Sequence, residues 1–291
     1  MAQVKMDSLI HATGSFFDDC QFLSPDTLLL LGVHTNLVAL TDSSGRVLKV
    51  YDFMNLMKLY NVELATRIEY CKGRVSMGTF YHNRYDSLGQ NLQTECDFMK
   101  RRRVTPRVIQ IDTFPYSAPK AIGLNFYQRF SDESDHVVEL CDMLCMDSVT
   151  ILNSSFSDSL YVYDLDGRLT KVVGLKSDHI PLKVKPVNCE VLATDLNASN
   201  EALAKSCYIS RVLRDDYRHL YYCIAIDRYG SPEGSSYVIV LDDDFRQLDE
   251  FAFPNADYHP SGAFVGQKGL YIRHQANYFL NPTYTIFRYE R

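Results

Sequence analysis

This sequence predicts an all-β protein, a six-bladed propeller whose blades are four-stranded antiparallel sheets. Two observations carry the strand reading. Tyrosine and phenylalanine are abundant, 20 and 16 of 291 residues. They sit in short β-branched and aromatic runs separated by Asp-Gly, Ser-Gly and Asn-Pro turns. A third observation carries the blade count, because one hairpin phrase recurs. It reads ALTDSSGRVLKV at 39–50, YVYDLDGRLTKVV at 161–173 and IVLDDDFRQLDEF at 239–251, with a looser copy, YDSLGQNLQ, at 85–93.

The phrase has a physical logic. An aspartate side chain caps a tight turn, glycine takes a positive φ, and apolar alternating arms pair antiparallel. Asp42, Asp86, Asp164 and Asp242 are the capping positions, with Gly167 a turn glycine and Phe245 in the glycine place of the last copy. Asp42 and Asp86 lie 44 positions apart, and the next two intervals are both 78. With 78 taken as two periods, one unit is about 39 to 44 residues, the size of a four-stranded blade. Divergent copies then fall near 125 and 203, which makes six. The whole chain, 1–291, reads as one propeller domain, with 1–20 peripheral.

Along the chain, LLLLGVHTNLVAL (28–40) is the longest apolar run, within an early strand around 26–40; it carries His34 and Asn36 and is too short to span a bilayer. FMNLMKLYNVELATRIEY (53–70) has apolar residues at mixed spacings and fits helix or strand equally. MKRRRVTPR (99–107) is the one basic cluster and reads as a solvated turn rather than a phosphate-binding patch. The net charge of −6 argues against a general nucleic-acid binder. The opening MAQVKMDSLIHATG lacks an apolar core of signal-peptide length, so the chain as written is expected in the cytoplasm, with the cell envelope or periplasm the alternative if a leader has been trimmed. The final stretch, Asn281 to Arg291, is expected to close the ring by pairing beside a strand in 26–40, because such a clasp removes an exposed edge.

YISRVLRDDYRHLYYCIAI (208–226) predicts a hairpin turning at Arg214-Asp215-Asp216-Tyr217, with both aspartates solvated. On a strand, Tyr217, His219 and Tyr221 share one face, a candidate ligand surface, while Arg218 leaves the turn beside acidic partners. The competing reading of those aromatics is packing between blades.

The chemistry-bearing motifs are weak. Eight cysteines include no C-x-x-C pair, and Cys141 and Cys145 in CDMLC read as small apolar side chains. Asp164-x-Asp166-Gly167 and Asp242-Asp243-Asp244 invite calcium, but an EF-hand loop has its glycine sixth, and here it comes fourth. No H-E-x-x-H occurs, and Ser76 misses the G-x-S-x-G elbow by one position. The chain has no tryptophan, so it has no tryptophan-ended Asp box of the sialidase type. No metal and no cofactor are expected. The functional expectation is a monomeric, non-enzymatic scaffold presenting loops at one mouth of the ring to a protein or glycan. The alternative is a hydrolase or lyase with acidic and histidine residues at the channel mouth.

From about residue 150 onward the chain also resembles the TolB-like six-bladed propellers of gut Bacteroidales, a lipoprotein-type family of uncharacterised function. The residues that carry the resemblance are Asp215-Asp216-Tyr217-Arg218-His219-Leu220-Tyr221-Tyr222, Leu241-Asp242, Gly269 to Ile272 and Asn281-Pro282. The resemblance implies a propeller fold and an envelope location, and implies no activity.

Overall fold

The structure is a computed structural model; it describes residues 19–32, 37–59, 64–80, 106–112, 117–123, 142–155, 157–182, 204–228, 232–275 and 282–289, with 35, 114, 198 and 201. The described strands form five sheets, each a meander from one contiguous stretch of chain. The first holds β1 (Asp19–Ser24), β2 (Thr27–Gly32), β3 (Leu37–Asp42) and β4 (Val47–Asp52). The second holds β5 (Leu64–Cys71), β6 (Arg74–Phe80), β7 (Val108–Ile111) and β8 (Pro119–Ile122). The third is β9 (Met143–Cys145), β10 (Val149–Asn153), β11 (Ser159–Asp164) and β12 (Leu169–Gly174). The fourth is β13 (Cys207–Asp215), β14 (Leu220–Asp227), β15 (Ser235–Asp242) and β16 (Gln247–Pro254), and the fifth is β17 (Tyr258–Gly266), β18 (Gly269–His274) and β19 (Tyr284–Phe287). One helix, α1 (Met54–Leu59), follows β4 and is capped by Asp52, whose Oδ1 accepts the Met54 amide at 2.8 Å. The ambiguous 53–70 stretch therefore holds both elements, a helix and then a strand.

The architecture is that of an all-β propeller with four-stranded antiparallel blades, but with five sheets among the described residues where the repeat spacing predicts six. Among the described strands the count departs in three places: one third strand, β7, stands between Asp42 and Asp164 where the spacing predicts two turns, none stands between Asp164 and Asp242 where it predicts one, and the fifth sheet follows Asp242, where it predicts none. Asp164 ends the third strand of the third sheet and Asp242 the third strand of the fourth, so the 78 residues between them are one period. The extra length lies between β12 and β13. In the second sheet the third strand ends at Ile111, so its corresponding connection begins at Asp112. Asp86, the predicted copy, lies outside the described residues. Period counting assumes uniform connections, and connections tolerate insertion because loop closure costs little per added residue.

The expected clasp is also corrected. Residues 284–287 pair with β18 inside the fifth sheet, and β2 pairs with β1 and β3. A strand is held most cheaply by its sequence neighbour, and β18 supplies it.

The chain packs as two compact units. The first comprises the first two sheets with segments Cys145–Val149 and Tyr163–Arg168. Its second sheet has two faces of opposite character, set by strand alternation, since cross-strand partners point the same way. Ile68, Met77 and Ile109 form one paired row and join Leu29, Leu31, Val38 and Val75 in a fully buried core. Glu69, Ser76, Gln110 and Lys120 form the adjacent row on the opposite face. Several groups on that polar face have named partners. Arg74 Nη2 donates to the Met146 and Asp147 carbonyls at 2.6 and 2.8 Å, and Arg67 Nη2 lies 2.7 Å from Glu69 Oε1. Buried polar groups need such partners.

In the second unit β14, LYYCIAID, is buried on both faces. Tyr222 and Ile224 pair with Val240 and Val238 and pack with Phe253, Ala263, Leu270 and Ile272. Each such side chain contributes about 1.5–3 kcal/mol of burial. The β13 strand bulges between Ile209 and Arg211, and side chains of the preceding sheet take the backbone groups there. Asp142 Oδ2 accepts the Val212 amide at 2.8 Å, and Asn153 Nδ2 donates to the Ile209 carbonyl at 2.8 Å.

Candidate ligand-binding site

Three of the repeated turns are the same object. In each, the aspartate ends the third strand, its backbone N–H donates to the carbonyl four residues on, and its Oδ1 accepts two amides. Asp42 takes those of Ser44 and Arg46, Asp164 those of Asp166 and Arg168, and Asp242 those of Asp244 and Arg246, all at 2.8–3.0 Å. Gly45, Gly167 and Phe245 hold the fourth place with φ of 85°, 78° and 63°. The carboxylates are thereby engaged by the backbone. Among the described residues no three His, Cys, Asp or Glu side chains converge to hold a metal ion. The Ser44 hydroxyl and the Arg46 amide also hold the Asp42 carboxyl below its ordinary range, winning over partial desolvation.

The third such turn builds a cleft with the neighbouring hairpin. Leu220 pairs with Asp242, which brings the 216–219 turn beside 243–246. Around them lies a cavity of about 570 Å³ lined by His219, Asp242, Asp243, Asp244, Leu248 and Tyr289. Asp243 is its electrostatic centre. His219 Nδ1 lies 3.3 Å from Oδ2, and Arg214 Nη1 lies 2.5 Å from Oδ1, an ion-pair contact rather than an aligned hydrogen bond. Arg214 also reaches Asp216 at 3.1 Å and stacks its guanidinium 4.5 Å above the Tyr221 ring. Burial works to lower the Arg214 pKa, but the neighbouring Asp243 and Asp216 carboxylates prevail and raise it. Asp244 stays open, its side chain 68% exposed, with Arg246 Nη2 3.2 Å away.

The predicted ligand face is not assembled as strand alternation implies. Tyr217 and His219 lie in the turn, not on a strand; Tyr217 is 65% exposed, and His219 adopts a positive φ of 56°. Tyr221 is on β14 but buried, stacked on Phe245 with ring centres 4.7 Å apart. Burial pushes its phenol pKa up, against the pull of Arg214. Of the three, His219 alone lines the cleft. Asp215 also departs from expectation. It is fully buried, its Oδ1 accepts the Tyr217 and Arg218 amides at 3.0 Å, and its Oδ2 takes Arg218 Nη1 at 3.0 Å and the Tyr222 hydroxyl at 3.2 Å. Arg218 lies in the turn and ties it to the fifth sheet through Nη2 and the Gln267 carbonyl, 3.0 Å apart.

The sequence marks Asp243 and Asp244 only as part of the acidic triple weighed for calcium, and carries no signal that joins them to His219 or Tyr289. Of the basic cluster, Pro106 and Arg107 are buried just before β7, and 99–105 lie outside the described residues. The thiols of Cys71, Cys207 and Cys223 are pushed up to about 12, by burial in each case. Asp147 and Asp227 add to that effect by accepting the Cys71 and Cys207 S–H. They are protonated thiols, unsuited to nucleophilic work.

No known family model matches the chain, and no curated protein matches it. Solved structures do. A member of the DUF4221 family from Bacteroides vulgatus matches with a TM-score of 0.61 at 18% identity, over 85% of this chain and 69% of that one. A hypothetical selenium-binding protein from Sulfolobus tokodaii matches with a TM-score of 0.45 at 9% identity, over 89% of this chain and 58% of that one. A putative exported protein from Bacteroides fragilis matches at 0.41 and 10%, over 87% and 78%. The first likeness establishes a shared fold with a Bacteroides protein. TolB-like and lipoprotein character do not follow from any of them. No helix among the described residues is long and apolar enough to cross a membrane.

Proposed function

We propose that this chain is a binding propeller, one domain that presents the 216–219 and 243–246 turns to a protein partner. The observation that carries the reading is the cleft at Asp243, where charge, an imidazole and an aromatic tip converge on an opening of ligand size. Asp216, Asp243 and Asp244 contact the guanidiniums of Arg214 and Arg246, Asp242 is held by backbone amides, and Lys171 Nζ lies 2.9 Å from the Asp244 carbonyl, so four carboxylates meet three cationic side chains. The surplus favours a basic side chain of the partner over a neutral glycan. A hydrolase has less support, because acidic and histidine side chains at the cleft are already engaged: Asp242 by the Asp244 and Arg246 amides, and Asp243 by Arg214 and His219.

The test is calorimetric titration of the protein with an arginine-containing peptide at low and physiological salt. Binding that weakens with salt, and weakens about tenfold in an Asp244→Asn/His219→Ala variant, supports the proposal, each tenfold step being about 1.4 kcal/mol. Equal binding by parent and variant sinks it. The envelope location implied by the family resemblance accompanies this reading, and fractionation of cells expressing the intact gene distinguishes it from the cytoplasm.

A further inference from the structure

The last strands of the sheets differ in how they treat their open edge. An edge strand offers unpaired N–H and C=O groups to any passing strand, and proteins blunt such edges with charge or proline. The last strands of four sheets carry these guards: Lys49 and Asp52 on β4, Pro119 and Lys120 on β8, Lys171 on β12, Asp249, Glu250 and Pro254 on β16. The last strand of the fifth sheet is β19, Tyr284-Thr285-Ile286-Phe287, with no charge and no proline. It lies in third position of its sheet, whereas the third strands β7, β11 and β15 are each covered by a fourth and mostly buried. Among the described residues no strand pairs with the outer edge of β19.

The face beside that edge is aromatic. Phe264 stacks on Tyr271 with ring centres 4.7 Å apart, and Tyr284 meets Phe264 edge-on at 5.2 Å. Register places Ile286 opposite Tyr271, extending the same face. Phe264, Tyr284 and Ile286 remain 42%, 37% and 37% exposed. The other face is committed inward. Thr285 Oγ1 bonds His274 Nε2 at 2.8 Å, and Phe287 joins the unit's core.

We infer that this edge is where two copies of the chain associate, β19 against β19, antiparallel. The occupant is chosen by chemistry: the edge calls for a short, uncharged strand with bulky residues on alternate positions, and among the last strands β19 itself is the one that fits. Pairing about a two-fold axis at Thr285 sets Tyr284 opposite the partner's Ile286 on the same face. The aromatic faces of both copies then run together, and the two three-stranded sheets become one of six. The arrangement is isologous and closes at two copies. It stands against the monomer that sequence alone suggested. It also has a salt signature, since two chains of net charge −6 repel and an uncharged interface gains as that repulsion is screened.

Sedimentation of the full chain across a concentration series tests this. A dimer that tightens as salt is raised, and becomes a monomer in Ile286→Lys while Leu248→Lys on the guarded β16 stays dimeric, is the expected result. Circular dichroism and melting of each variant establish that it folds; if Ile286→Lys does not, Tyr284→Glu replaces it. A parent that stays monomeric throughout, a dimer that survives both edge variants, or an open-ended assembly overturns the inference.

Discussion

Replacing Arg218 by alanine removes the charged partner of a buried carboxylate. Asp215 is fully buried and accepts four donors, two backbone amides, the Arg218 guanidinium and the Tyr222 hydroxyl. Arg218 is partly shielded, with 24% of its side chain exposed, so its pair with Asp215 is neither a free surface contact nor a wholly desolvated one. A hydrogen bond to a charged group contributes about 1.5–3 kcal/mol. Three donors remain on Asp215 after the substitution, which keeps the loss below the roughly 3–5 kcal/mol of a fully orphaned buried charge. The lost link to the Gln267 carbonyl adds to it, and about 2–3 kcal/mol is the expected total. Urea unfolding at neutral pH, followed by far-UV circular dichroism, should show a lower midpoint with an unchanged slope. Arg168→Ala is the control: its contact with Asp166 is 4.0 Å long between side chains 80% and 67% exposed, and such pairs are worth little. If Arg218→Ala unfolds at the parent midpoint, or no later-melting difference separates it from Arg168→Ala, the buried carboxylate is not what holds this hairpin.

Gly167→Ala should destabilise by about 1–2 kcal/mol, because its φ is +78° and a Cβ would lie 3.2 Å from the Ala121 carbonyl oxygen; Gly174→Ala, with open space and no positive φ, should melt like the parent. The His259 pKa is lowered below 6.5, first by burial and then by Arg273. The folded protein therefore binds its proton less readily than the unfolded chain. Its contribution to stability is complete above the unfolded pKa and is lost as pH falls from there toward the folded value, so stability of the parent should drop more than that of His259→Gln between neutral pH and pH about 5. With Cys71, Cys207 and Cys223 held near 12 and Cys20 exposed, iodoacetamide near pH 8 should label Cys20 well before those three in a mass-spectrometric time course; early labelling of Cys71 would contradict the Asp147 hydrogen bond.

Local chemistry was readable in the chain. β-Branched and aromatic runs mark β11, β14 and β15, and the Asp-x-x-Gly phrase marks the third-to-fourth strand turn at Asp42 and Asp164, because an Asx-capped turn needs only five adjacent residues. Phe245 shows how far that rule reaches: the turn persists with a non-glycine residue at φ 63°, its ring stacked on Tyr221. Quantities set by distant parts of the chain were not readable. The blade count depends on connection lengths, which no local rule constrains, so the 78 residues between Asp164 and Asp242 hold one period rather than two, and the fifth sheet has no copy of the phrase among the described residues. Whether Tyr221 faces ligand or core was decided by Phe245 and Arg214, which reach it only through the β13–β14–β15 pairing. Asp215 and Asp216 are adjacent and identical in type, yet Asp215 is fully buried while Asp216 has an 86% exposed side chain. Tertiary packing makes that distinction, because burial is a property of what arrives around a residue, and Tyr222 and Arg218 close over one carboxylate alone.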